Sequence, residues 1–239
     1  MINVMTIEDI YHALRKWKTL IDAYMSGNKD SKSEIMKYLN QGTHFSVDES
    51  DIEEWKKLLK DTEDERKAIH AYVGIDEDQL KFFLIDSCSD LYADFEHIFV
   101  KQFSHRSPDI TIEKVPIVTS YPPISSESAI SRNFTFNMYC SDWVDAQKGG
   151  DFFQLIKIPF SDYDKLDLKK GESCVCFLGL TNKVLNNTPI SDYHIEIITV
   201  KDIGIGQMSQ FAEDYSTPRP PFTNDSIEYQ LLQKSNAYI

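Results

Sequence analysis

Positive charge is what this sequence is short of. Lysine and arginine total 25 against 38 aspartates and glutamates, a formal net charge of −13. A chain with that balance repels phosphate backbones and anionic membrane surfaces at long range. Arg15, Arg66, Arg106, Arg132 and Arg219 are scattered, so they build no basic stripe. No nucleic-acid partner is expected. Long apolar runs are also missing: nothing approaches the roughly 18 residues of a membrane span. The opening residues lack a basic start, and acids arrive at Glu8 and Asp9. That is unlike a secretory leader, and the expectation is a cytoplasmic chain with no membrane partner. Glycine and proline are scarce, 9 of each, so no low-complexity linker divides the chain. The 4 cysteines, Cys88, Cys140, Cys174 and Cys176, suit a reducing compartment as small core residues.

Catalytic signatures are thin as well. There is no Walker A loop, no Gly-x-Gly-x-x-Gly, no Gly-x-Ser-x-Gly elbow, no His-Glu-x-x-His and no Cys-x-x-Cys. Gly204-Ile-Gly206 lacks the third glycine of a dinucleotide loop and reads as a turn. No cofactor is expected, no named motif is matched, and no residue role is carried over from a known family.

What the chain does have is a change of period near residue 66. Before it, apolar residues recur every three or four positions; after it they come in short alternating or continuous runs. Helices followed by strands predict an α+β fold, with front helices packed on a mostly antiparallel sheet of about six strands. With 239 residues and 41% hydrophobic content, the chain can bury a substantial core. A single domain over 1–206 is expected, helical over 6–60 and strand-rich over 66–206, then a Pro-containing tail over 207–239 with a short final helix.

Thr6-Ile-Glu-Asp9 has the form of a capping box. The stripe Ile7, Ile10, Leu14, Trp17, Ile21, Tyr24 follows, with Gly27 placed to end the helix. The spacing also fits three heptads, but so broad a stripe is read as a core face. Further helices are predicted over 33–40 and from a second capping box, Ser50-Asp-Ile-Glu53, to about Lys60. Ile69–Ile75 and Leu80–Ile85, joined by Asp76-Glu-Asp-Gln79, read as a hairpin covered on both faces. Residues 88–104 are read as helix from Leu91, Phe95, Ile98 and Phe99. Residues 126–147 fit strand or helix, and helix is taken. Strands are expected over 110–118, 152–159, 174–180 and 193–200.

The densest chemistry lies in Asp86-Ser-Cys-Ser-Asp90-Leu-Tyr-Ala-Asp94-Phe-Glu-His97. On a helix, Asp90, Asp94 and His97 share a face at i, i+4 and i+7. Two carboxylates and an imidazole there can perform acid–base work or hold a divalent cation. A solvated polar face with Asp86 or Ser89 as cap explains the same residues. His44, His70, His105 and His194 have no sequence-local partners that suggest ligation. Cys174-Val-Cys176 is read as a buried pair, not a metal half-site. Asp162, Asp164 and Asp167 suit a polar turn, or a cation or basic peptide. Arg219-Pro-Pro221 suits either a Pro-rich ligand or a tail strapped across its own domain.

The leading expectation is an acidic, non-enzymatic interaction protein that binds a basic protein, as an acidic antidote would bind a toxin. The alternative is an enzyme using Asp90, Asp94 and His97, with metal-assisted hydrolysis as one form. A homo-oligomer that exchanges its first helix or its tail is a third expectation.

Overall fold

The computed structural model describes residues 5–104, 124–147, 152–181, 189–202, 211–213, 216–219 and 226–238. In chain order its elements are α1 (Ile7–Met25), α2 (Lys29–Leu39), β1 (Phe45–Asp48), α3 (Glu49–Leu58), β2 (Ala68–Asp76), β3 (Gln79–Asp86) and α4 (Ser87–Leu91). There follow β4 (Phe99–Gln102), β5 (Ile124–Ser125), α5 (Ser126–Ala146), β6 (Leu155–Pro159), α6 (Ser161–Asp164) and β7 (Ser173–Thr181). The last are β8 (His194–Lys201), β9 (Phe211–Ala212), β10 (Thr217–Arg219) and α7 (Gln230–Ala237).

The fold is α+β, as the change of period predicts. Every strand pair among the described residues is antiparallel. The strands form not one sheet of about six but a five-stranded sheet, β10-β6-β2-β3-β4, and a three-stranded sheet, β1-β7-β8, with β5 and β9 as a small separate pair. Both sheets feed one main core. Ile69, Ala71, Val73, Phe82 and Leu84 come from the larger sheet, and Val47, Cys174, Cys176, Leu178 and Ile197 from the smaller. The opposite face of β2 and β3 carries Tyr72, Phe83 and Ile85, which pack with Ile10, Ala13 and Leu14 of α1 and with Leu231 and Leu232 of α7. Both faces of the hairpin are therefore covered.

Local chemistry sets the boundaries. Thr6 Oγ1 accepts the Asp9 N–H at 3.2 Å, and the Asp9 carboxylate accepts the Thr6 N–H at 2.9 Å. Gly27, at φ +93°, closes α1, with Gly27 N–H on Tyr24 O and Asn28 N–H on Ala23 O. Glu77 and Asp78, at φ +48° and +62°, give the two-residue turn whose twist matches the hairpin. The tail's β10 adds in cis to the edge of the larger sheet, where Pro218 deprives no inner strand of a donor.

Three boundaries differ from the expectations. α2 starts at Lys29 because Asn28 Oδ1 caps the Asp30 N–H at 3.0 Å. α3 starts at Glu49, not after Ser50, because Asp48 and Asp51 form the box; Asp51 Oδ2 accepts the Asp48 N–H at 3.1 Å. Residues 88–104 are not one helix: α4 ends at Leu91 and β4 begins at Phe99. Near the end of the chain Ile227 is 66% exposed, and Tyr229, Leu231 and Leu232 carry the packing. The strand expected over 110–118 lies outside the described residues. Among the described residues, no helix is long and apolar enough to cross a membrane.

Candidate functional site

On β2, His70 and Tyr72 are two residues apart, so their side chains leave the same face. The hairpin returns the chain along β3 to Asp86, whose Oδ1 accepts the Cys88 and Ser89 N–H groups at 3.0 and 2.9 Å and starts α4. One turn later Asp90 points back over β2. It is wholly buried, as are His70 and Tyr72. Asp90 Oδ2 meets His70 Nδ1 at 2.6 Å and accepts from the Tyr72 hydroxyl. Asp90 Oδ1 accepts the Leu231 N–H at 2.9 Å. An ionised carboxylate only accepts, so a hydrogen bond from His70 to it requires the proton on Nδ1. The Tyr229 ring lies 4.8 Å from the His70 ring, centre to centre. His70 Nε2 has no hydrogen-bond partner among the described residues.

An Asp–imidazole pair with the outer nitrogen unbonded is the orienting half of a general base. Here the C-terminal segment covers it. The same geometry is also a structural latch, in which one carboxylate holds two strand side chains and the first turn of α7.

The Tyr72 hydroxyl is held well above its ordinary range, first by burial and then by the negative charge of Asp90. Burial does the same to Tyr163, whose hydroxyl touches Cys176 Sγ at 3.9 Å. Both phenols stay neutral in the fold while the unfolded chain ionises near pH ~10. Their contribution is fully present below that pH and is lost as pH rises above it. The urea midpoint should therefore hold to about pH 9 and fall between about pH 10 and 11. Tyr163→Phe should flatten that fall in a titration followed by fluorescence. A midpoint equally pH-dependent in wild type and variant would remove burial of this phenol as a cause.

The three residues grouped by helical spacing are placed differently. Ala93 takes φ +57°, and Ala93 N–H bonds Asp90 O while Asp94 N–H bonds Ser89 O. That left-handed closure stops the helix one turn before it could align Asp94 and His97 with Asp90. Asp94 is exposed, and its Oδ1 accepts the Glu96 N–H at 3.3 Å. His97 is half-buried in the stretch leading to β4. The structure joins Asp90 instead to His70, which no sequence-local pattern linked to it. The available signal was the alternation His70-Ala-Tyr72: two polar side chains on a strand face that is otherwise apolar need a buried acceptor.

Other expected candidates resolve locally. Cys174 and Cys176 are buried free thiols facing the main core. Asp164 pairs with Lys56 at 3.1 Å, Asp167 pairs with Lys169, and Asp162 is buried on α6. Among the described residues no group of three or more His, Cys, Asp and Glu side chains is arranged to hold a metal ion. A cleft of about 540 Å³ lies between the end of α3 and α4, bordered by Arg66, Ser87, Cys88, Tyr92, Lys157 and Glu228.

The remaining feature is a ridge on α5. The helix buries Ala129, Phe136, Cys140, Trp143 and Val144, yet Phe134, Met138 and Tyr139 are 48%, 59% and 49% exposed. No family model matches the chain, and no curated protein or solved structure is significantly similar to it.

Proposed function

We propose that this protein is an acidic interaction protein whose ligand is a basic protein. One observation carries the reading: with 38 acids against 25 bases, the balance of the chain stays negative even with Asp51, Asp86, Asp90, Asp162, Glu196 and Glu213 buried. Lys18, Lys37, Lys56, Lys57, Lys101 and Lys201 each already sit on a carboxylate. With a net charge of −13, the field beyond those pairs is negative and attracts a cationic surface. The four free thiols suit a cytoplasmic setting. Once a basic partner is in hand, its association rate should fall about tenfold as ionic strength rises from about 0.02 to 0.3 M, in stopped-flow mixing. A rate indifferent to salt would count against the reading.

A second reading is favoured by one observation, the Nε2 of His70, which has no hydrogen-bond partner among the described residues, beside Asp90. It takes the chain as an acid–base enzyme in which Asp90 orients His70, and it requires the C-terminal segment to move aside. Asp94 and His97, grouped with Asp90 by spacing, would join such a site only through movement of the coil after α4.

A further inference from the structure

We propose that the outward ridge of α5 is the surface that takes the basic partner, and that the partner presents a cationic amphipathic face. This rests on the reading of the chain as a binder of basic proteins, and it names where and how the contact is made.

The ridge has the geometry of a contact stripe. Phe134 and Met138 stand at i and i+4, Tyr139 lies alongside, and Asp142 continues the line one turn further. A helix packed on one side only normally turns charged and polar residues to water. Here two aromatic residues and a methionine, types enriched in protein interfaces, hold that position. The scaffold beneath is fixed. Asn133 Nδ2 donates to Leu178 O at 2.8 Å, and Trp143 Nε1 donates to Tyr193 O at 2.8 Å. The Arg132 guanidinium sits 3.3 Å from the buried Glu196 carboxylate. A ridge held this firmly loses little conformational freedom on binding.

Charge selects the occupant. The last turn of α5 contains no basic residue, and Asp142 and Asp145 stand at the end where unpaired carbonyls already concentrate negative potential. Two carboxylates there work against the helix dipole. Lys32 partly offsets Asp145, at 2.6 Å, and Asp142 is exposed. A cation arriving beside Met138 relieves that repulsion. A second copy of this chain brings another net charge of −13, and an anionic bilayer is repelled likewise. A cationic amphipathic face satisfies the apolar residues and the acidic end together.

The test uses the full chain and a synthetic helical peptide with leucine on one face and lysine on the other, compared with its leucine/glutamate counterpart. Wild type should bind the lysine peptide at low salt and ignore the glutamate peptide. The exposed double substitution F134S/M138S, which changes no charge, should weaken binding at least tenfold, and Asp142→Asn about threefold. Tyr92→Ser, at an exposed aromatic residue elsewhere, should change nothing. If the lysine peptide binds wild type and F134S/M138S equally, the ridge is not the site although the chain still binds cations. If it binds neither, the inference and the underlying reading both fall. If sedimentation shows that F134S/M138S dissolves a dimer, the ridge belongs to a second copy and the inference is wrong.

Discussion

Asp90→Ala is expected to cost about 3–5 kcal/mol of unfolding free energy, the range for breaking a buried charged network by removing one partner. The substitution strips the acceptor from His70 Nδ1, the Tyr72 hydroxyl and the Leu231 N–H at once. All three residues are buried, so water does not readily replace the lost oxygen atoms. Asp90→Asn keeps one acceptor oxygen and should cost less. Urea unfolding followed by tryptophan fluorescence reads the global loss, and amide exchange at Leu231 reads the local one. The exchange should accelerate even where the sheet amides stay protected, since α7 is eight residues long and depends on tertiary contacts. A loss below about 1 kcal/mol would mean that the cluster is wet and is not a latch.

Gly74→Ala should lower the melting temperature by about 5–10 °C, corresponding to about 2–3 kcal/mol. A methyl group on Gly74 would lie 2.8 Å from Phe83 Cε2, 2.9 Å from Ala13 C and 3.0 Å from Leu14 N. Two of those atoms are α1 backbone, and α1 is anchored by Trp17, whose Nε1 donates to Phe153 O at 3.1 Å. The helix therefore cannot retreat without loosening both clusters that it joins. Phe83 is wholly buried and has little room to turn. Calorimetry of the variant checks the expectation, and an unchanged midpoint would show that α1 floats on the sheet.

The parts of this fold that were legible were those where one local rule acts alone. Thr6, Asp9 and Gly27 bounded α1 because caps and left-handed glycines are sequence-local. The hairpin was legible because Asp76 to Gln79 is short and polar between two apolar runs. The end of α4 was not, because Ala93 adopts a conformation usually left to glycine. The partition into two sheets was also hidden: β1 pairs with β7, and no local pattern says which distant strand accepts Phe45–Asp48. The site followed the same division. Asp90 stood out as a carboxylate in a dense stretch, but its partners come from β2 and α7, through the hairpin and the far end of the chain. Spacing along one helix is blind to contacts of that kind.

The pairing of Val47 with Cys174 sets an order on how the molecule can be made. During translation β1 emerges well before its partner β7, while the β2–β3 hairpin can close as soon as it is extruded. Phe45 and Val47, both shielded in the finished protein, must wait on the ribosome for more than half of the chain to follow. Over that interval the nascent polypeptide presents an unclaimed edge to chaperones.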